Sequence, residues 1–272
     1  MLLTLDIGNT NMVIGVFQLP GKTKNRPQRG PEGATQATLV EHWRLETKKE
    51  RTSDEFGILI KELFQFAKLN FEDITDVVIS SVVPTLEFAM ERMCERYLKI
   101  KPLWITPQIK TSIKIKLDNP KEIGADRIVN AVAGFKKYGG PLIIVDFGTA
   151  TTFDYISAKG EYCGGMIAPG ISISNEALFE RAAKLPHVEI KKPSRAIGKN
   201  TIESMQAGIY FGYIGMVDEI IRRMIEESKE KKVQVIATGG FTSLIVPESK
   251  RIKKVDPFLT LEGMRLIWEK NR

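Results

Sequence analysis

The chain has 272 residues, 43% of them apolar, enough to fill two small α/β cores or one large one, which excludes a disordered or fibrous chain. Lysine plus arginine number 40 against 33 acidic residues, and the net charge of +7 suits an anionic small molecule and weak nucleic-acid affinity equally well. Only two cysteines occur, Cys94 and Cys163, in no metal-ligand or CxxC spacing, which argues against a disulfide scaffold or a zinc site and for a reducing cytoplasm.

The chain opens on Leu3-Thr4-Leu5-Asp6-Ile7-Gly8-Asn9-Thr10, an apolar strand with no basic leader of the secretory kind. A second apolar run from Met12 to Phe17 completes a hairpin with a carboxylate at its mouth. Residues 18–38 carry Pro20, Gly21, Pro27, Gly30, Pro31 and Gly33 and read as an extended surface loop. Lys22, Lys24, Arg26 and Arg29 in that loop, with Lys250, Arg251, Lys253 and Lys254 near the other end, read as solvated charge. They have no interleaved aromatic residues for single-strand nucleic acid. Alternation resumes over residues 41–45, and Thr52-Ser53-Asp54-Glu55 caps a helix with Phe56, Leu59, Ile60, Leu63, Phe64 and Ala67 at helical spacing.

Residues 77–83 read as a buried strand. Pro84 and Thr85 start a helix with Leu86, Met90, Met93 and Tyr97 inward. A short strand at residues 103–105 and an alternating run over 113–117 lead to Asn119-Pro120, where the domain junction is expected. The domains are thus 1–117 and 118–272. Gly124-Ala125-Asp126-Arg127 opens a helix that Gly139 and Gly140 end.

Then the opening motif returns as Ile143-Ile144-Val145-Asp146-Phe147-Gly148-Thr149-Ala150, followed by a second apolar run from Phe153 to Ile156. The two aspartates are 140 residues apart, about one domain, so the repeat marks a duplication. Gly164-Gly165-Met166-Ile167-Ala168-Pro169-Gly170 is a glycine-rich lead into a helix from about Ser172. Residues 186–200 are polar and irregular, Asn200-Thr201-Ile202-Glu203 reads as a capping box for a long helix to about Lys229, and residues 233–237 form a last buried strand ending at Thr238-Gly239-Gly240. The least polar run, residues 207–217, is about half the roughly 20 residues a membrane span needs.

Glycine turns after strands let backbone N–H groups approach an anion, and a carboxylate beside each can hold the metal that neutralises it. Phosphoryl transfer asks for these parts and a group that orients the acceptor hydroxyl. The chain has no GxxxxGK[ST] loop and no protein-kinase motif set, so a nucleotide site here is built without a P-loop. Asp126 falls in the first turn of a helix, whose dipole favours its charge, and Arg127 beside it can grip a carboxylate. Read alone, each motif also has a structural meaning: Asp-x-Gly as a plain turn, Asp126 as a dipole partner, Thr201 as part of a cap. His42, His187, Cys94 and Cys163 read as structural or solvent residues.

The duplicated acidic turns resemble those of the acetate kinase, sugar kinase, actin and heat-shock chaperone superfamily. With Gly124-Ala125-Asp126-Arg127, Gly164-Gly165 to Pro169-Gly170 and Asn200-Thr201 in this order, the chain more narrowly resembles the type III pantothenate kinases. That resemblance implies two ribonuclease H-like domains of the actin-like ATPase fold around a nucleotide cleft, and ATP-dependent phosphorylation of pantothenate toward coenzyme A. It implies Asp126 as the base, and pantothenate contacts from Leu117, Gly124, Ala125, Asp126, Arg127 and Thr201. For ATP it implies Asp6, Ile7, Gly8, Asn9, Thr10, Asn11, Met12, Val13 and Thr149. Magnesium is implied near Asp6, a monovalent cation (potassium or ammonium) at Asp146, and a homodimer with the long helix after Thr201 as one contact surface. Leu117 stands where tyrosine is expected, which leaves open another small hydroxy acid or sugar as acceptor. A non-catalytic regulatory protein on the same fold is the alternative of a different class, against which stand the intact Asp6, Asp126 and Asp146.

Overall fold

The computed structural model describes residues 1–20 and 37–272. Most of the expected loop at 18–38, with Lys22, Lys24, Arg26 and Arg29, lies outside the described residues. The chain gathers into two compact units, Met1–Ser112 with Lys121–Ala133 and Thr260–Arg272, and Ile113–Pro120 with Gly134–Leu259. A single cut at 117/118 therefore separates residues 121–133 and 260–272 from the unit they pack into. The divisions at 133/134 and 259/260 fall inside or at the start of helices, where unbroken periodicity gives no boundary signal.

In the first unit β1 (Leu2–Ile7) and β2 (Asn11–Gln18) form the expected hairpin, with Asp6 opposite Val13. β3 (Thr38–Glu46) adds antiparallel to β2. α1 (Ser53–Phe66) starts with a true capping box: the Glu55 N–H donates to Thr52 Oγ1 at 3.3 Å and the Thr52 N–H to the Glu55 carboxylate at 2.7 Å. β4 (Asp76–Ser81) and β5 (Leu103–Trp104) run parallel to β1, giving the order β3-β2-β1-β4-β5. Between them α2 (Glu87–Met93) widens into a π turn over Cys94–Leu98 and stops at Lys99, φ +58°. That wide turn leaves Tyr97 only half-buried, its hydroxyl donating to Asp54 at 2.9 Å. Leu3, Leu5, Ile7, Ile14, Val77 and Ile79 on one sheet face form the core with Phe56, Ile60 and Phe64 of α1 and Met90 and Met93 of α2. Each such side chain contributes roughly 1.5–3 kcal/mol. By the two-residue alternation the opposite face carries Thr4, Asp6 and Ser80.

The second unit begins with β6 (Lys114–Ile115), all that pairs of the alternating run. α3 (Ala125–Tyr138) ends at Gly139, φ +73°, as the glycine pair predicts. β7 (Leu142–Phe147) and β8 (Ala150–Ile156) form the second hairpin, with Asp146 opposite Thr152. The glycine-rich segment, expected only as a lead into a helix, is a strand, β9 (Glu161–Pro169), antiparallel to β8. Glycine depresses strand propensity in sequence, but here a Cβ on Gly165 would lie 1.8 Å from the Phe153 carbonyl oxygen, so close pairing itself requires glycine.

α4 (Ile171–Arg181) follows, then an irregular stretch, then α5 (Thr201–Ser228). Its capping box is offset: Asn200 accepts the Glu203 N–H at 2.9 Å, but the backbone N–H that the Glu203 carboxylate accepts is that of Lys199, one residue before the cap. β10 (Gln234–Gly239) runs parallel to β7. α6 (Thr242–Ile245), β11 (Lys254–Val255) and α7 (Leu259–Asn271) complete the chain. The sheet order is β11-β10-β7-β8-β9-β6. Its β9-β8-β7-β10-β11 part repeats β3-β2-β1-β4-β5 strand for strand, with the same parallel and antiparallel senses, so the duplication read from the two aspartates extends through both sheets. α7 belongs to the first unit, where a Cβ on Gly263 would lie 2.1 Å from the Val129 carbonyl oxygen of α3.

Candidate active site

The first acidic turn joins β1 to β2. The Gly8 N–H donates to the Asn11 carbonyl at 3.0 Å, and a Cβ on Gly8 would stand 3.0 Å from that same oxygen. Thr47, just past β3, closes the turn from outside: its hydroxyl donates to the Gly8 carbonyl at 2.7 Å and its N–H to the Thr10 carbonyl at 2.9 Å. Asp6 is half-buried, and Asn9, Thr10 and Asn11 are exposed. Ile7 and Met12 send their side chains into the core, so at those two positions only backbone is left for a ligand. Thr47 was missed in sequence because nothing local marks a threonine beyond a strand end as the partner of a turn far upstream.

In the same unit Asp126 sits in the first turn of α3, its Oδ1 accepting the Arg127 N–H at 2.8 Å. The carboxylate curls back over Gly124, where a Cβ would lie 2.5 Å from Asp126 Oδ1 and 3.8 Å from Val82 Cγ1, just beyond β4. The glycine two residues before the aspartate therefore makes room for the carboxylate itself. Although part of Asp126 reaches solvent, the protein packed around it pushes its carboxyl above the usual carboxylate range; the Arg127 N–H and guanidinium charge pull down without winning. The helix dipole alone predicts the opposite direction, so desolvation is the larger effect. A carboxylate tuned upward is a better proton acceptor, as a base working near neutral pH requires.

The second acidic turn is held by glycines. Asp146 is half-buried, and Gly148 and Thr149 are exposed. A Cβ on Gly239, φ +95°, would meet Asp146 Oδ1 at 2.6 Å and the Phe147 backbone nitrogen at 2.6 Å. A Cβ on Gly170 would meet the Thr149 carbonyl oxygen at 2.2 Å, and the Gly170 N–H donates to that oxygen at 3.1 Å. So the glycine segment and the Thr238-Gly239-Gly240 turn, separate in sequence, both close on the Asp146 turn. Below it, Tyr162 donates to the fully buried Asp154 at 2.6 Å, a pair that sequence reading passed over.

Thr201 is the exposed first residue of α5 and lines a cleft of about 740 Å³ with Leu178, Leu185, Asn200, Ser204 and Met205, all within the second unit. Leu117 lies against β9, its Cδ2 3.5 Å from where a Gly164 Cβ would be. His42 and His187 are both exposed, the latter edge-on to Phe179. Burial pushes the Cys94 thiol up to about 12 and raises that of Cys163, so neither is a ready nucleophile. Among the described residues no three His, Cys, Asp or Glu side chains gather as a metal centre. Single carboxylates flanked by turn backbone still fit magnesium, which keeps several waters and takes phosphate oxygens as ligands, and fit a weakly held monovalent cation.

The repeated sheet order and acidic turns define the actin-like ATPase fold. The fold is shared with the inorganic polyphosphate/ATP-glucomannokinase from Arthrobacter sp. strain KM, whose structure superposes at a TM-score of 0.50 over 100% of this chain and 99% of that one, at 14% identity. Residues 2–223 match the family model described as type III pantothenate kinase. The type III pantothenate kinase of Geobacter sulfurreducens is 56% identical over 100% of both chains, and that of Bacillus cytotoxicus 54% identical over 100% of this chain and 97% of its own. The chain belongs to the type III pantothenate kinase family. It is a phosphotransferase of that family, and no helix among the described residues is long and apolar enough to cross a membrane.

Proposed function

We propose that this chain transfers the γ-phosphoryl group of ATP to the primary hydroxyl of pantothenate, giving 4'-phosphopantothenate on the way to coenzyme A, with Asp126 as the base. The observation that carries the residue assignment is the Asp126 carboxylate, raised in basicity by burial and given room by Gly124. Asp126 orients the hydroxyl and takes its proton late in the transfer, as positioning matters more than proton removal in a loose phosphoryl transition state. Arg127 grips the substrate carboxylate, and Ala125, Leu117 and Thr201 are assigned to the acceptor as well.

The turn at Gly8, Asn9 and Thr10, with Asn11 and Val13, contacts ATP, and Thr149 of the second turn is assigned to ATP as well. Ile7 and Met12 contribute through backbone alone. Asp6 would hold magnesium, and Asp146, in its glycine cradle, a potassium or ammonium ion; these ions neutralise phosphate charge when bound. The protein works in the cytoplasm as a homodimer. Ile173, Leu178, Phe179, Ile202 and Phe211, each between 37% and 51% exposed on α4 and α5, form the apolar surface for the second copy.

ADP release from ATP and magnesium, with and without pantothenate and in potassium or sodium buffer, tests this reading. Turnover that needs pantothenate and rises with potassium is the expected result. Turnover supported instead by another hydroxy acid or a sugar would replace the acceptor, and none with any acceptor would remove the catalytic reading. Light scattering checks the dimer, which a Phe211→Glu change should weaken.

A further inference from the structure

Each acidic turn has a buried hydroxyl in register on the parallel neighbouring strand, Ser80 of β4 opposite Asp6 and Thr238 of β10 opposite Asp146. Ser80 is wholly buried, and among the described residues its Oγ has no hydrogen-bond partner. Its neighbours use theirs: Thr4, on the same sheet face, donates to the Gly15 carbonyl at 3.1 Å, and Ser81 accepts the Val83 N–H at 3.0 Å. A buried hydroxyl left unpaired is costly, and alanine would fill the same place without that cost. In-register residues on adjacent strands are only about 4.8 Å apart and share a face, which brings the Ser80 hydroxyl within reach of the Asp6 carboxylate directly or across one water.

We propose that Ser80 is a positioning residue for Asp6: with nucleotide bound, its hydroxyl donates to the Asp6 carboxylate and fixes the rotamer in which that carboxylate faces the magnesium-bound phosphates. The recurrence of a buried in-register hydroxyl at Asp146 and Thr238 supports this. The inference rests on the assignment of Asp6 to the nucleotide, and its test separates the two.

The test is calorimetric binding of a non-hydrolysable ATP analogue with magnesium to wild type, Ser80→Ala, Asp6→Asn and the double variant, alongside melting of each unliganded protein. Ser80→Ala is expected to weaken binding about tenfold, the size of one hydrogen bond to a charged acceptor. Its unliganded melting should stay unchanged or rise, its KM for pantothenate should not move, and the double variant should bind no worse than Asp6→Asn alone. Wild-type affinity in Ser80→Ala while Asp6→Asn binds weakly would overturn the proposal, as would additive losses in the double variant. If Asp6→Asn itself binds like wild type, the nucleotide role of Asp6 falls and the proposal with it.

Discussion

At the first acidic turn hydrogen bonds from one residue do the holding, the Thr47 hydroxyl on the Gly8 carbonyl and the Thr47 N–H on the Thr10 carbonyl, whereas at the second turn backbone packs on backbone through Gly170 and Gly239. The topology is duplicated but the means of closure is not. A hydrogen-bonded turn tolerates small shifts; a turn sandwiched between glycines does not, because each missing Cβ is occupied by another residue's main chain. The halves differ also in what they add: the first brings Asp126 at the N-terminus of α3, and the second the cleft beside Thr201.

The difference is testable by giving both turns a methyl group. Gly239→Ala places a Cβ against the Phe147 backbone at a φ of +95°, and should cost roughly 3 kcal/mol or more of stability by chemical denaturation. Gly8→Ala meets a single oxygen at 3.0 Å with no left-handed φ, and should cost under about 1 kcal/mol. Equal losses would show that both turns are held alike.

Gly124→Ala is a case between these, since its Cβ would collide with the movable end of the Asp126 side chain and not with backbone. About a tenfold fall in kcat with little change in melting is expected; a large loss of stability with kcat intact would mean that Gly124 serves the fold and not the carboxylate. At the helix starts, Thr52→Ala removes a cap with both reciprocal bonds and Asn200→Ala one whose return bond goes to Lys199 instead. Costs of about 1 kcal/mol for Thr52→Ala and somewhat less for Asn200→Ala should appear in thermal melts.

The strands around Asp6 and Asp146, the capped helix at Thr52 and the helix opened by Gly124 were legible because period-2 and period-3.6 patterns and turn residues are local signals. So was the position of Asp126 in a first helical turn, though its basicity was not: the local dipole predicts one direction and tertiary packing imposes the other. β9 escaped notice because its glycines, poor strand formers alone, are there to let β8 approach. Residues 259–271 carry Leu259, Leu261, Met264, Ile267 and Trp268 as buried positions on helical spacing, a pattern present in the sequence and left unread. Thr47 and Ser80 matter through partners far along the chain, which no spacing rule reaches.

The most direct test of the account compares Asp126→Asn with wild type in pantothenate-dependent ADP formation, analogue binding and unliganded melting across pH. The account predicts turnover reduced by about 10²–10⁴-fold with nucleotide affinity retained. Because burial raises the folded-state pKa, ionised Asp126 weakens the fold: its favourable contribution is complete below the ordinary carboxylate pKa and is lost as pH climbs through the raised value. The asparagine variant should therefore melt higher than wild type near neutral pH, and the gap should close in acid. Turnover within a few-fold of wild type would contradict the assignment of Asp126 as the base.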